Sequence, residues 1–313
     1  MQEQNRSFKA NFALVLVCLV WGTTFYAIKV GIEHVPPFAF LSMRHLLAGF
    51  ILLSVLAFMP QHRKYMKWEF LKPQILPGIL LIGLGNGLVG LAEKYVPTGL
   101  IGVIFSLVPM MVLMYNLVTD KHYPVNYFTL VGLGLGLFGV YLLFQDNLQH
   151  ISTNDGFVFG LLLVFICTLA WAAGGILNKK NKSESSTFIN TSFQLLSGGF
   201  FLQVLSLTFE DQSQFHYSSE ALWSLAYLVL VASLLTYNAY IYSIKHLSLE
   251  KVSIHTYLNP VVAILLGWAW LGEKISINTL IAVILILISV YFTNKSQKMG
   301  RFGSRRRASG NMA

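Results

Sequence analysis

Apolar residues occur along the chain in runs of about 20 positions, separated by short polar segments. A run of this length spans the hydrocarbon core of a bilayer when it folds as an α-helix, because each helical residue rises 1.5 Å. The pattern predicts an all-α integral membrane protein without a separate soluble domain. Its ten predicted transmembrane helices lie near residues 11–32, 37–58, 75–92, 97–118, 126–144, 156–178, 187–208, 220–242, 250–270 and 276–293.

The chain also repeats itself at an offset of about 150 positions. Trp21 in LVWGTTF matches Trp171 in LAWAAGG, and FLSMRHLLAGF at 40–50 matches NTSFQLLSGGF at 190–200. Within the second pair the matched residues are Ser42 and Ser192, Leu46 and Leu196, Gly49 and Gly199, and Phe50 and Phe200. A duplication that only builds a stable bundle is one interpretation of this repeat.

The repeat divides the chain into two five-helix units, residues 11–145 and 156–293, followed by a basic tail at 294–313. Because five is odd, the second unit must enter the membrane from the side opposite to the first. The sequence therefore predicts two repeats of inverted topology. This architecture is typical of secondary transporters, which hold their substrate near the midplane between the halves.

Composition and charge agree with a membrane location. Only 11% of residues are charged, against roughly 25% in a soluble domain, and the mean hydropathy is +0.62. If the N-terminus is cytoplasmic, all but four of the 22 Lys and Arg residues fall in cytoplasmic segments; the exceptions are Lys29, Lys94, Lys274 and the intramembrane Arg44. The positive-inside rule then predicts that both termini are cytoplasmic. The net charge of +9 thus indicates anionic lipid, not nucleic acid, as the partner.

The sequence indicates no metal site and no cofactor. Cys18 and Cys167 both fall inside predicted spans, which is typical of buried core thiols. Two glycine clusters, at 83–90 and 132–139, resemble phosphate-binding loops only superficially, since they are apolar and no Lys-Ser/Thr follows them. Helix packing explains them better. Without an ATP-binding loop, transport would draw its energy from a gradient or run downhill.

Three stretches carry a family resemblance: VWGTTF at 20–25, PPFAFLSMRHLLAG at 36–49, and YLNPVVAILLGWAWLGEKISINTLIAVILILISVYF at 257–292. In this order, and with two five-span halves, the chain resembles the drug/metabolite transporter superfamily in its ten-helix EamA branch. The resemblance implies an inner-membrane carrier, usually an exporter, of amino acids or other small metabolites. Related branches carry nucleotide sugars or sugar phosphates. The first half departs from the second, because TDKH at 119–122 replaces the LGE turn at 271–273.

Two ionisable residues stand side by side inside the second predicted span. Such residues are costly in hydrocarbon and usually face the protein interior. Arg44 is expected to hold a substrate carboxylate or phosphate, or to pair with Glu93 or Glu273; the alternative is that it snorkels to the interface. His45, about 100° further around the helix, is either a packed hydrogen-bonded residue or part of a proton relay.

Aromatic and polar residues from both halves are expected to line the substrate cavity: Trp21, Arg44, Asn86, Tyr115, Trp171, Gln194, Tyr237, Asn238, His255 and Asn259. His255 and Asn259, four residues apart, share one helix face. Pro109 and Pro260 each free a carbonyl one turn earlier and are candidate hinges. Ordinary interhelical hydrogen bonds and static bends are the alternatives for these residues.

Together these features predict a secondary transporter in the cytoplasmic membrane, as a monomer or homodimer, that exports amino acids or similar small metabolites by alternating access. A lone interior arginine favours an anionic or zwitterionic small molecule, and the tryptophan pair favours an apolar part. A carrier for nucleotide sugars, sugar phosphates or drugs is the alternative. An intramembrane lipid-modifying enzyme is the non-transport alternative, but it would need clustered carboxylates or histidines, whereas the acids here are scattered.

Overall fold

The structure is a computed structural model. It describes residues 2–119, 127–146, 156–181, 185–216, 218–247, 249–252, 255–272, 275–289, 291, 292 and 295. Within these ranges the chain is almost entirely helical and contains no β-strand.

The main helices follow the predicted spans in order. They are α1 (Gln2–Ile32), α2 (Pro37–Ala57), α3 (Trp68–Ala92), α4 (Thr98–Thr119), α5 (Tyr127–Asp146), α6 (Phe157–Lys180), α7 (Thr187–Phe209), α8 (Ser219–His246), α9 (His255–Leu271) and α10 (Ile277–Ser289). Among the described residues, seven helices are long and apolar enough to cross a membrane, while α5, α9 and α10 carry shorter apolar stretches. The prediction of an all-α membrane protein is confirmed.

Proline, glycine and one acidic residue set helix ends. Pro37 opens α2, where its fixed φ suits the first helical turn. The backbone N–H groups of Phe38 and Ala39 donate to the Glu210 carboxylate at 2.7 and 2.9 Å. The end of α7 therefore caps the start of α2 with a negative charge, which the helix dipole favours. α9 ends where Gly272 adopts a φ of 68°.

Three of the helices are irregular. α3 contains a π-helical stretch at Ile79–Asn86, and α8 contains one at Leu228–Tyr237, so the two stretches lie at matched positions of the repeat. α4 is interrupted at residues 106–107, directly before Pro109, whereas the described backbone of α9 is helical from 255 to 271. The candidate hinge at Pro109 therefore follows an interruption of its helix, and the hinge roles of Pro109 and Pro260 stay predictions.

Equivalent helices of the two halves make equivalent contacts. α1 packs along α9 just as α6 packs along α4, and α1 packs along α8 just as α6 packs along α3. α2 contacts α8 as α7 contacts α3, while the pairs α2–α7 and α4–α9 each join equivalent helices. Exchanging the two halves leaves this pattern unchanged, so the repeats are interleaved around a pseudo-two-fold axis.

The α2–α7 contact shows this symmetry at the level of single residues. A Cβ atom on Gly49 would lie 2.8 Å from Cγ of Leu196, and a Cβ atom on Gly199 would lie 3.0 Å from Cγ of Leu46. The rings of Phe50 and Phe200 meet edge to face, with centroids 6.1 Å apart. Three residues of the first copy, Leu46, Gly49 and Phe50, therefore contact residues of the second copy that the sequence repeat also matched.

Candidate substrate cavity

A central cavity lies where both repeats meet. Helices α1, α2, α3, α4, α6, α8 and α9 contribute its lining, which comprises Trp21, Thr24, Phe25, Ile28, Arg44, His45, Ile82, Gly85, Asn86, Val89, Phe105, Trp171, Ala232, Ser233, Tyr237, His255 and Asn259. The two π-helical stretches supply Ile82, Gly85 and Asn86 on one side and Ala232, Ser233 and Tyr237 on the other. Such stretches are frequent at functional sites because they redirect side chains locally.

The cavity is small in this conformation. Its volume, measured as the space open to the centre of a water-sized sphere, is about 40 Å³. That is room for roughly three water molecules. A solute as large as an amino acid therefore requires the lining helices to separate.

Aromatic rings form one wall of the cavity. Trp21 is at their centre, with ring centroids 5.2 Å from Trp171 and 5.0 Å from His255. It also packs at 4.8 Å on Tyr240, which lies outside the lining. Phe105 closes on Trp171 from α4 at 6.0 Å. This wall offers apolar surface to a solute, and its π faces also suit a cationic group.

Arg44 lies in the cavity lining and is only 4% exposed, so its side chain does not snorkel outward. Its Nε donates to Oγ of Ser233 at 2.9 Å, while its Nη1 has no hydrogen-bond partner in the described part of the chain. The hydrogen bond of Nε goes to a hydroxyl, and the expected pairing of Arg44 with Glu93 or Glu273 stays a prediction. A buried donor without a partner costs about 1–3 kcal/mol, and more when it is charged.

Three further polar side chains in the lining are buried. Both ring nitrogens of His45 and Oδ1 of Asn259 lack partners among the described residues, and the two side chains are 1% and 4% exposed. His255, one helical turn from Asn259, places its Nδ1 2.8 Å from the carbonyl oxygen of Val252. Buried polar groups in native proteins are usually hydrogen-bonded, so unpaired atoms gathered in one cavity need an explanation.

Gln194, the counterpart of Arg44 in the second repeat, does not line the cavity. Its Nε2 donates to Gln74 and Asn178, each at 2.8 Å, and its Oε1 accepts from the Tyr237 hydroxyl at 2.7 Å. Gln74, Asn178, Gln194 and Tyr237 form what we call the polar quartet. Gln74 and Gln194 lie near the starts of α3 and α7, and Asn178 near the end of α6, so the quartet borders the cavity on the side of the chain's N-terminus.

Other predicted residues lie partly inside and partly outside the cavity. Asn86 lines it, and its Nδ2 donates to the carbonyl of Leu81 at 3.3 Å. Asn238 turns back onto its own helix, where its Nδ2 donates to the carbonyl of Leu234 at 2.6 Å. Tyr115 is outside the lining, because Lys180 at the end of α6 holds its hydroxyl.

The remaining predicted residues are more distant. Glu93 is buried at the end of α3, outside the lining, and its backbone carbonyl accepts from Nζ of Lys29 at 2.6 Å. Pro109 follows the interruption in α4 but does not line the cavity. The Pro260 side chain and the whole of Glu273 lie outside the described residues.

Several lining residues were not predicted from the sequence: Thr24, Phe25, Ile28, Ile82, Gly85, Val89, Phe105, Ala232 and Ser233. Most are apolar, and no signal in a hydrophobic run separates a cavity wall from a packed interface. Ser233 could have been found, since it is a hydroxyl inside an apolar stretch of the second repeat.

A bundle of apolar helices built from two inverted repeats around a polar cavity is the architecture of a membrane transporter. The EamA-like transporter family model matches the chain twice, at residues 8–145 and 158–295. The chain belongs to this family.

Several relatives agree with this assignment, and a solved structure shares the fold. YedA of Escherichia coli K12, an uncharacterized inner membrane transporter, is 30% identical, with 90% of this chain and 89% of that protein covered. YoaV of Bacillus subtilis, an uncharacterized transporter, is 27% identical over 90% and 96%. A protein of Salmonella typhimurium named a probable amino-acid metabolite efflux pump is 27% identical over 91% and 94%. A protein crystal structure with 17% identity shares the fold, with a TM-score of 0.66 over 93% of this chain and 97% of that one.

Proposed function

We propose that this protein is a secondary transporter that exports amino acids or similar small metabolites across the cytoplasmic membrane by alternating access. The observation that carries the proposal is Arg44, a buried guanidinium with an unpaired nitrogen in a cavity between two inverted repeats. A guanidinium matches the geometry of a carboxylate, which amino acids and many metabolites carry. The Salmonella relative, named for amino-acid metabolite efflux, supports the same substrate class.

The size and the borders of the cavity support alternating access. A space for roughly three water molecules must widen before it admits an amino acid. The polar quartet, whose Gln74 and Gln194 are fully buried, lies between the cavity and the N-terminal side. Separating α3, α6, α7 and α8 at the quartet would open a path on that side, and the interruption in α4 before Pro109 supplies a place to bend.

The orientation in the membrane is part of the proposal. The distribution of basic segments supports cytoplasmic termini, and the polar quartet would then be the cytoplasmic border of the cavity. The basic tail at 294–313 would then lie against anionic lipid, and the chain would act as a monomer or homodimer.

Counterflow in proteoliposomes tests the proposal. Proteoliposomes that contain the purified protein are loaded with unlabelled amino acids. They are then exposed to labelled amino acids, nucleotide sugars, sugar phosphates or organic cations in separate assays. We expect labelled amino acids to accumulate. No accumulation of any amino acid, together with robust movement of another class, would contradict the proposed substrate.

The arginine is tested in the same assay. Arg44→Gln, which copies the second repeat, is expected to lower counterflow about tenfold or more, because a charge-assisted hydrogen bond contributes about 1.5–3 kcal/mol. Arg44→Lys should retain part of the activity, since it keeps the charge but loses the planar fork. Lys94→Gln removes an exposed charge outside the cavity and serves as the control. Wild-type counterflow in Arg44→Gln would rule out a substrate-binding role for Arg44.

A further inference from the structure

The cavity lining combines donors and acceptors that have no partner among the described residues, and this combination restricts the solute more than the arginine alone does. Arg44 Nη1 can only donate a hydrogen bond, whereas Oδ1 of Asn259 can only accept one. The counterpart of Arg44 in the other repeat, Gln194, has three protein partners. At this pair of repeat positions, Gln194 is therefore hydrogen-bonded at both its amide nitrogen and its amide oxygen, whereas Arg44 keeps an unpaired Nη1 among the described residues.

Arg44, which we call the donor pole of the cavity, is held in place by the protein. Ser233 accepts from Nε of Arg44 at 2.9 Å, and Ser233 itself lies on the π-helical stretch of α8. One edge of the guanidinium is thereby fixed while Nη1 remains unpaired within the described chain. A planar guanidinium anchored in this way is suited to a carboxylate.

His255 and Asn259 on α9 form what we call the acceptor pole of the cavity. The carbonyl of Val252 can only accept, so Nδ1 of His255, 2.8 Å away, carries the proton. In the neutral ring Nε2 is then a hydrogen-bond acceptor. Asn259 lies one turn further along the same face and adds the unpaired Oδ1. Two acceptors on one face suit an ammonium group, which has three donors and no acceptor.

The aromatic wall strengthens the acceptor pole. His255 meets the ring of Trp21 edge to face at 5.0 Å and the ring of Tyr240 at 5.5 Å. An ammonium group next to His255 would therefore also lie near π faces, which attract cations. No such concentration of rings is needed to bind a carboxylate.

We infer that the cavity recognises its substrate at two poles, with Arg44 binding a free carboxylate and His255 and Asn259 binding a free ammonium group. This inference rests on the proposed function and narrows it to free zwitterionic amino acids. Asn259 and His255 become residues that determine specificity. Solutes with only one of the two charged groups should be poor substrates.

Competition with blocked analogues tests the two poles. The labelled amino acid that moves fastest in wild-type proteoliposomes is chosen, and its N-acetyl derivative and its carboxamide are added as competitors. The first lacks the ammonium group and the second lacks the carboxylate. We expect both to compete at least tenfold more weakly than the parent amino acid. Competition by either analogue within about twofold of the parent overturns the inference but leaves the proposed export of amino acids intact.

Variants assign the poles to residues. In Asn259→Leu and in His255→Phe, the N-acetyl derivative should compete at most about threefold more weakly than the parent amino acid. The carboxamide should still compete at least tenfold more weakly than the parent. Asn259→Asp keeps a hydrogen-bond acceptor and should preserve the preference for the parent amino acid over its N-acetyl derivative. His246→Phe is the matched control, because His246 makes the same ring-to-carbonyl contact, to Tyr242 at 2.8 Å, but is exposed outside the cavity. If the N-acetyl derivative competes as weakly, relative to the parent amino acid, in both Asn259→Leu and His255→Phe as in the wild type, the role assigned to these residues is contradicted. Because analogue and parent are compared within one variant, lower expression does not alter this ratio.

Discussion

At the scale of single residues, Arg44 and Gln194 show how one repeat position acquires two roles. The sequence alone paired these positions and placed an arginine opposite a glutamine. It did not reveal that Gln194 would be satisfied by Gln74, Asn178 and Tyr237 while Arg44 kept an unpaired nitrogen. Whether a polar atom is satisfied depends on neighbours from other helices, which a single sequence does not specify.

The hydroxyl of Tyr237 is expected to hold the polar quartet closed. Tyr237→Phe removes the 2.7 Å donor to Gln194 and should weaken the closed arrangement by about 1 kcal/mol, which is roughly a fivefold shift in the equilibrium. Hydrogen–deuterium exchange of peptides covering residues 187–195 should accelerate accordingly. Tyr242→Phe, outside the quartet, is the control. Unchanged exchange in 187–195 would show that the quartet does not hold the N-terminal side shut.

At the scale of helices, the hydrophobic pattern predicted their order and approximate positions but not their irregularities. The third span, expected from 75, begins at Trp68 because Pro73 and Pro77 are tolerated inside the helix. Apolar runs carry no sign of a π-helical turn, since that turn depends on backbone hydrogen bonds and not on side-chain periodicity. Only the polar residues Asn86 and Tyr237, which lie at matched positions of the repeat and end the two π-helical stretches, stood out in the sequence.

The π-helical stretch of α3 closely approaches Trp171 at Gly85. A Cβ atom on Gly85 would lie 2.9 Å from Cε3 of Trp171 and 3.0 Å from the carbonyl oxygen of Leu80. Gly85→Ala should therefore displace the Trp171 ring and lower transport about tenfold, because overpacking costs about 1–3 kcal/mol. Gly134→Ala on α5, where a Cβ would meet nothing within 4 Å, is the matched control. Equal counterflow in the two variants would mean that the Trp171 position does not matter.

At the scale of the whole molecule, the inverted repeat followed from an odd number of spans in each half. The structure bears this out in the exchange-symmetric helix contacts and in the reciprocal packing of Leu46 on Gly199 and Leu196 on Gly49. The location of the cavity follows from the same symmetry, because the axis passes between the halves. Its small volume was not predictable, since it depends on how far the helices have closed.

The proposed transport mechanism requires this cavity to open to the two sides of the membrane in turn. The direct test is cysteine accessibility at Thr24, which lines the cavity, in a variant whose buried Cys18 and Cys167 are replaced by alanine. Val15→Cys, on the outward face of α1 at 54% exposure, is the control that a membrane-impermeant maleimide should not label.

Thr24→Cys is treated with that maleimide in right-side-out and in inside-out vesicles. We predict labelling from both sides and slower labelling from both when a transported amino acid is present. Labelling from one side alone, or from neither side, would contradict alternating access through this cavity.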